Sequence, residues 1–144
     1  MARVTVHLHG VPKEKANREL IEMYSKRISS RGIRIEYHPD KMSVEAYQNI
    51  LAKRKGTVIY LDEGGETLDS LEFSSRVQEW TIAGDETHLA IGPAQGWPST
   101  NMPIHAPRLS LSKMTFPHEL ASVLLVEQLY RATEILRGSA YHKA

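Results

Sequence analysis

The side chains in this sequence best suited to proton chemistry are histidines, and one stands out by position. His118 follows Pro117 and precedes a long apolar run, which places it at the start of a helix. The positive end of a helix disfavours imidazolium, so this ring is suited to act as a neutral proton acceptor or an orienting donor. The stretch leading to it, SLSKMTFPH, begins as a strand with Leu109 and Leu111 alternating with Ser110 and Ser112, then breaks into a polar loop. His7 and His9 share a strand face, a spacing open to a metal pair. No third ligand is tied to them, so no metal site is expected. Asp62 and Glu63 lie at a strand end without a matched acid–base partner, and are expected to cap turns or face the hydroxyls of a sugar. Trp97, in a proline-rich loop, is expected to pack on its own loop, with a stacking platform for a base as the functional alternative.

Alternating strands and helices must position these residues. Residues 3–8, 33–37, 57–61, 87–92 and the start of the 110–118 stretch read as five strands. Between them, helices are expected from Pro12 to Gly32, around Val44 to Leu51, and from the capping box Asp69/Glu72 to Gly84. A last helix spans residues 117–137. The order predicts an α/β fold with a mainly parallel sheet and flanking helices, as one domain over residues 1–144. Residues 92–107 hold four of the seven prolines and predict a long irregular loop or lid. The last helix is apolar around almost its whole circumference, which predicts a buried dimer contact.

Ligands of such sheets bind at the carboxyl ends of strands. Three loops qualify: 61–65, 92–96 with its two glycines, and 113–118. The second lacks the third glycine and helix of a dinucleotide fingerprint, and no Gly-Lys-Ser/Thr phosphate loop occurs.

Composition narrows the classes. The 144 residues contain no cysteine, which excludes disulfides, zinc–thiolate and iron–sulfur sites, and a thiol nucleophile. With no apolar run of membrane-spanning length and no signal-peptide core, a cytoplasmic protein without a membrane partner is expected. The net charge of +1 conceals segregation: residues 3–60 carry 12 Lys/Arg against 6 Asp/Glu, whereas residues 61–86 carry 1 against 8. A basic face beside an acidic one leaves a nucleic-acid partner open.

The block SLSKMTFPHELASVLLVEQLYRATEILRGSAYHK resembles the C-terminal signature of the RlmH family, the SPOUT-class methyltransferases that modify N3 of a pseudouridine in large-subunit ribosomal RNA. The likeness extends more loosely to HLHGVPKEK, to the YLD ending of the third strand and to the IG-x-x-x-G loop. It implies a trefoil-knotted α/β fold, S-adenosylmethionine as methyl donor, a homodimer, and ribosomal RNA or an assembled ribosome as partner. Carried over by position, the donor would contact Leu61, Gly92, Gly96, Leu111, Ser112, Lys113, Met114, Thr115 and Phe116. His118, Tyr141 and His142 would be the catalytic candidates, with Arg131 as an RNA contact. Pro93 stands where the family usually has a second glycine, and Ser122 where a basic residue is frequent. A different RNA target, or a non-catalytic RNA- or ribosome-associated role, stays open beside the leading reading.

Overall fold

The computed structural model describes residues 3–98 and 106–143. In chain order the elements are β1 (Val4–His9), α1 (Lys15–Ile28), a 3-10 turn (Ser29–Arg31), β2 (Ile33–His38), α2 (Val44–Ala52) and β3 (Thr57–Thr67). There follow α3 (Ser70–Ile82), β4 (Thr87–Ala90), β5 (Arg108–Ser110) and α4 (His118–Leu136). The five strands form one parallel sheet in the order β2-β1-β4-β3-β5. The predicted α/β class is therefore what the chain adopts.

The two faces of the sheet differ chemically because β1 alternates. Val4, Val6 and Leu8 point into an apolar core shared with Ile59 and Leu89, and with Ile21 of α1, Phe73 and Val77 of α3, and Leu125, Val126 and Leu129 of α4. Thr5 and His7 point the other way and are fully buried. There a smaller apolar cluster of Tyr47, Leu51, Tyr60 and Ala90 borders a polar layer. Helix α4 packs against both α1 and α3. Its apolar circumference is thus largely buried within one chain, with only Leu120 and Leu136 exposed, and does not itself call for a dimer contact.

The sequence-based boundaries move at three places. Helix α1 starts at Lys15 rather than Pro12, because the Lys13 and Glu14 amides donate to the Glu119 carboxylate instead of opening a helix. The expected capping box is present, with Asp69 accepting from the Glu72 amide and Glu72 from the Asp69 amide. The third strand does not stop at Leu61 but runs to Thr67, with a register shift against β5 between Leu61 and Glu66. The 61–65 segment is therefore a bulge inside a strand. Gly65 permits this, since a Cβ there would lie 2.6 Å from the Arg108 carbonyl carbon. Of the predicted 92–107 loop, residues 99–105 lie outside the described residues.

Candidate active site

Because β4, β3 and β5 are parallel neighbours, their carboxyl ends open along one edge of the sheet. A cleft of about 300 Å³ lies there, bounded by all three loops singled out in the sequence. Eight of the nine expected cofactor positions line it: Leu61, Gly92, Gly96, Leu111, Ser112, Met114, Thr115 and Phe116. Lys113 does not; its side chain is exposed outside the cleft. His118 reaches the cleft wall from the first residue of α4.

Local chemistry shapes each wall. Ser112 Oγ accepts from the Met114 amide at 3.0 Å and the Ser112 carbonyl accepts from Ser110 Oγ at 2.7 Å, a serine turn that carries the chain away from β5. Neither Asp62 nor Glu63 serves as a simple turn cap. Asp62 accepts from Arg108 at 3.1 Å, and Glu63 from the Thr115 hydroxyl, so the β3 bulge is tied to β5 and to the 113–118 loop. Trp97 folds back over Gly92, and its indole N–H donates to the Leu61 carbonyl at 2.9 Å. Trp80 is partly buried and packs edge-on to Phe73 against the core.

His118 does not cap α4, whose N-cap position is taken by Pro117. Burial lowers the pKa of its ring below the ordinary histidine value, against the opposing pull of Glu119. The ring is thus kept neutral and able to accept a proton. Glu119 fixes the position of this first turn by accepting from the amides of Lys13 (2.9 Å) and Glu14 (3.2 Å) and from Asn17. Ser122 is buried, with its hydroxyl on the His118 carbonyl, so no side chain reaches outward from that position.

The other three candidates lie elsewhere. Arg131, Tyr141 and His142 gather around Glu127 on α4, with Arg131 at 2.9 Å and the Tyr141 hydroxyl at 2.8 Å from its carboxylate. Arg131 Nη1 donates to His142 Nδ1 at 3.1 Å, which assigns the proton of a neutral ring to Nε2. Tyr141 packs edge-on against Tyr130, and burial with the Glu127 hydrogen bond raises its phenol well above the usual range. None of the three lines the cleft. Thirteen residues of helix separate His118 from Arg131, about 20 Å at 1.5 Å per residue. The Tyr-His tail is docked, but away from its own chain's cleft.

One cluster was not legible from spacing. His7 is partnered not by His9, which lies 2.7 Å from the Met42 carbonyl, but by histidines of neighbouring strands. His88 Nε2 lies 3.1 Å from the Lys55 carbonyl and must carry a proton. In the neutral ladder, His88 Nδ1 accepts from His7 Nε2–H at 2.9 Å, and His7 Nδ1 accepts from His38 Nε2–H at 2.8 Å. Among the described residues, His7, Glu36 and His38 bring three ligand-type atoms within 4.8 Å. Arg54 forms a paired hydrogen bond to Glu36, and Arg34 adds another, so the cluster has no uncompensated negative charge to hold a cation.

The family model described as "Predicted SPOUT methyltransferase" matches residues 2–142. This chain belongs to that family. A SPOUT relative from Ruminiclostridium cellulolyticum, named ribosomal RNA large subunit methyltransferase H, is 36% identical over 98% of this chain and 99% of its own length. One of the same name from Synechococcus sp. is 40% identical over 86% of this chain and 85% of its own. Among solved structures, a probable methylase family protein from Haemophilus influenzae matches 99% of this chain and 71% of its own, with TM-score 0.58 at 12% identity. TrmJ from Z. mobilis matches 100% of this chain and 72% of its own with TM-score 0.53. These two likenesses carry the SPOUT fold alone.

A SPOUT methyltransferase implies a methyl donor, and the cleft has room and lining for a compact one. Its walls combine apolar side chains with backbone at two glycines and a few polar groups, the mixture that suits a compact ligand of mixed polarity. Among the described residues, no helix is long and apolar enough to cross a membrane.

Proposed function

We propose that this protein methylates N3 of a pseudouridine in large-subunit ribosomal RNA, with S-adenosylmethionine as donor, as a cytoplasmic homodimer. In this reading residues 1–144 are one SPOUT domain with a trefoil knot. The observation that carries it is convergence: a neutral His118 shares one cleft with eight positions expected to hold the donor. Relatives named ribosomal RNA large subunit methyltransferase H support the RNA target.

When bound, S-adenosylmethionine supplies an electrophilic methyl group whose sulfur leaves without protonation. The protein's part is then orientation and removal of the N3 proton from the base. Leu61, Gly92, Gly96, Leu111, Ser112, Met114, Thr115 and Phe116 hold the donor, while the Thr115 hydroxyl, bonded to Glu63, keeps the last of these segments in place. His118 accepts the N3 proton on a ring nitrogen. Arg131 of α4, with Tyr141 and His142 of the tail docked beside it, lies away from its own cleft, and the three complete the site of a second subunit, with Arg131 on RNA phosphate.

The test is calorimetric titration with S-adenosylmethionine, followed by methylation of ribosomes with and without the pseudouridine. Micromolar binding and pseudouridine-dependent transfer are expected. No binding at millimolar donor would overturn the reading.

A further inference from the structure

We propose that Trp97 is a positioning residue for the methyl donor, a bracket that sets the separation of the β3 and β4 ends between which the donor sits. The proposal rests on the methyltransferase reading above. Its starting point is Pro93, which has no backbone N–H to offer a ligand or the loop. The loop is closed instead by the Gly96 amide donating to the Pro93 carbonyl at 2.8 Å, with Gly96 in the left-handed region at φ +79°. That tight turn returns the chain across Gly92.

Four contacts then lock Trp97 in place. A Cβ on Gly92 would lie 3.0 Å from the indole nitrogen, so the ring packs closely on the chain just past β4 and a side chain there would press on it. The indole N–H donates to the Leu61 carbonyl, tying the same ring to the end of β3. Its face stacks on Tyr47 of α2, centroids 5.5 Å apart and 12° from parallel, while Tyr60 meets it edge-on at 5.1 Å. Tyr47 is fully buried and its hydroxyl donates to the carbonyl of Ile91, the residue before Gly92, at 2.8 Å. One aromatic pair therefore fixes both strand ends, and the uncovered part of Trp97 forms cleft wall. A ring spanning two of the three donor-binding segments sets the width of the site. Side-chain contacts do here what backbone hydrogen bonding at residue 93 cannot.

The test compares W97F, which keeps a stacking ring but loses the N–H, with W97L and W80F, each checked by circular dichroism. W97F is expected to raise the Kd and KM for S-adenosylmethionine about three- to tenfold, the equivalent of one neutral hydrogen bond. W97L is expected to raise them more. In W97F, kcat and the KM for ribosomes should stay within about twofold of the unaltered protein. Donor binding should change tryptophan fluorescence in W80F, where Trp97 remains, and not in W97F, where only Trp80 remains. The W80F arm leaves residue 97 intact, so it decides even if both substitutions at 97 prevent folding. An unchanged donor affinity in folded W97F, a fluorescence response that survives in W97F, or none in donor-binding W80F would overturn the proposal. So would a change confined to the KM for ribosomes, which would make Trp97 a base platform. Absence of donor binding in the unaltered protein would overturn both this proposal and the methyltransferase reading, and calorimetry distinguishes that case.

Discussion

Acidification is expected to destabilise this protein before its carboxylates titrate, and His7 is the main cause. Its ring is fully buried between β2 and β4. Burial foremost, then the neighbouring His88 and His38 and the guanidinium groups of Arg54 and Arg34, lower its pKa to about 3. In the unfolded chain the ring titrates near 6.5. Between those values only the unfolded state takes up the proton, so stability is fully present above about pH 6.5 and falls as pH drops toward 3. Each pH unit in that window costs about 1.4 kcal/mol, and lowering pH from 7.5 to 5.0 removes about 2 kcal/mol through His7 alone. Burial also depresses His38, against the pull of Glu36, so it adds to the loss in the same direction. The assay is urea unfolding at pH 7.5, 6.5 and 5.0, with the midpoint of the unaltered protein expected to fall by about 1 M at constant slope. His7→Gln offers one donor and one acceptor in place of the ring, and should be less stable at pH 7.5 but lose about 2 kcal/mol less on acidification. A stability that is flat from pH 7.5 to 5.0, or an equal loss in His7→Gln, would refute the argument.

Other outcomes follow from the same geometry. His118→Ala should lower kcat by about 10²- to 10⁴-fold while leaving donor affinity by calorimetry unchanged. Mixing inactive His118→Ala with inactive His142→Ala subunits should restore about a quarter of full activity, because half the re-formed dimers are mixed and each has one intact cleft–tail pair; no recovery would place both residues in the site of one chain. Asp69→Ala removes one half of the capping box on α3 and should cost about 1 kcal/mol in urea unfolding without changing KM. Gly65→Ala drives a methyl group into the Arg108 backbone, and should weaken both stability and donor binding by forcing β3 from β5, read by urea midpoint and calorimetry.

What the sequence revealed was local. The alternation in β1, the β-branched run of β3 and the Asp69/Glu72 box each have short-range causes, and the structure has them. Parallel strand order brought the 61, 92 and 111–118 segments to one edge, as expected of carboxyl ends in such a sheet. What escaped was set by neighbours distant in sequence. The extension of β3 through residues 62–67 depends on pairing with β5, some forty residues later. Spacing sets only His9 near His7 in sequence, whereas the strand order β2-β1-β4 is what places His38 and His88 on either side of it. Likewise, the all-round apolarity of α4 is matched within the chain by its packing on α1 and α3, which its own sequence does not show. The nearest sequence signal for the Trp97 bracket was Pro93, which marked the loop as unusual without saying what would hold it.

The clasp between Glu119 and the amides of Lys13 and Glu14 joins residues more than a hundred apart in the chain. Such a contact is made late, after the loop-closure entropy between the ends has been overcome by other pairings. A chain that has paired β2, β1, β4 and β3 but not yet placed α4 leaves the apolar face of its sheet open to water, and lacks the setting of His118. Placing α4 therefore both completes the cleft and closes that apolar face, so a substitution that weakens its docking should lower activity and promote aggregation together.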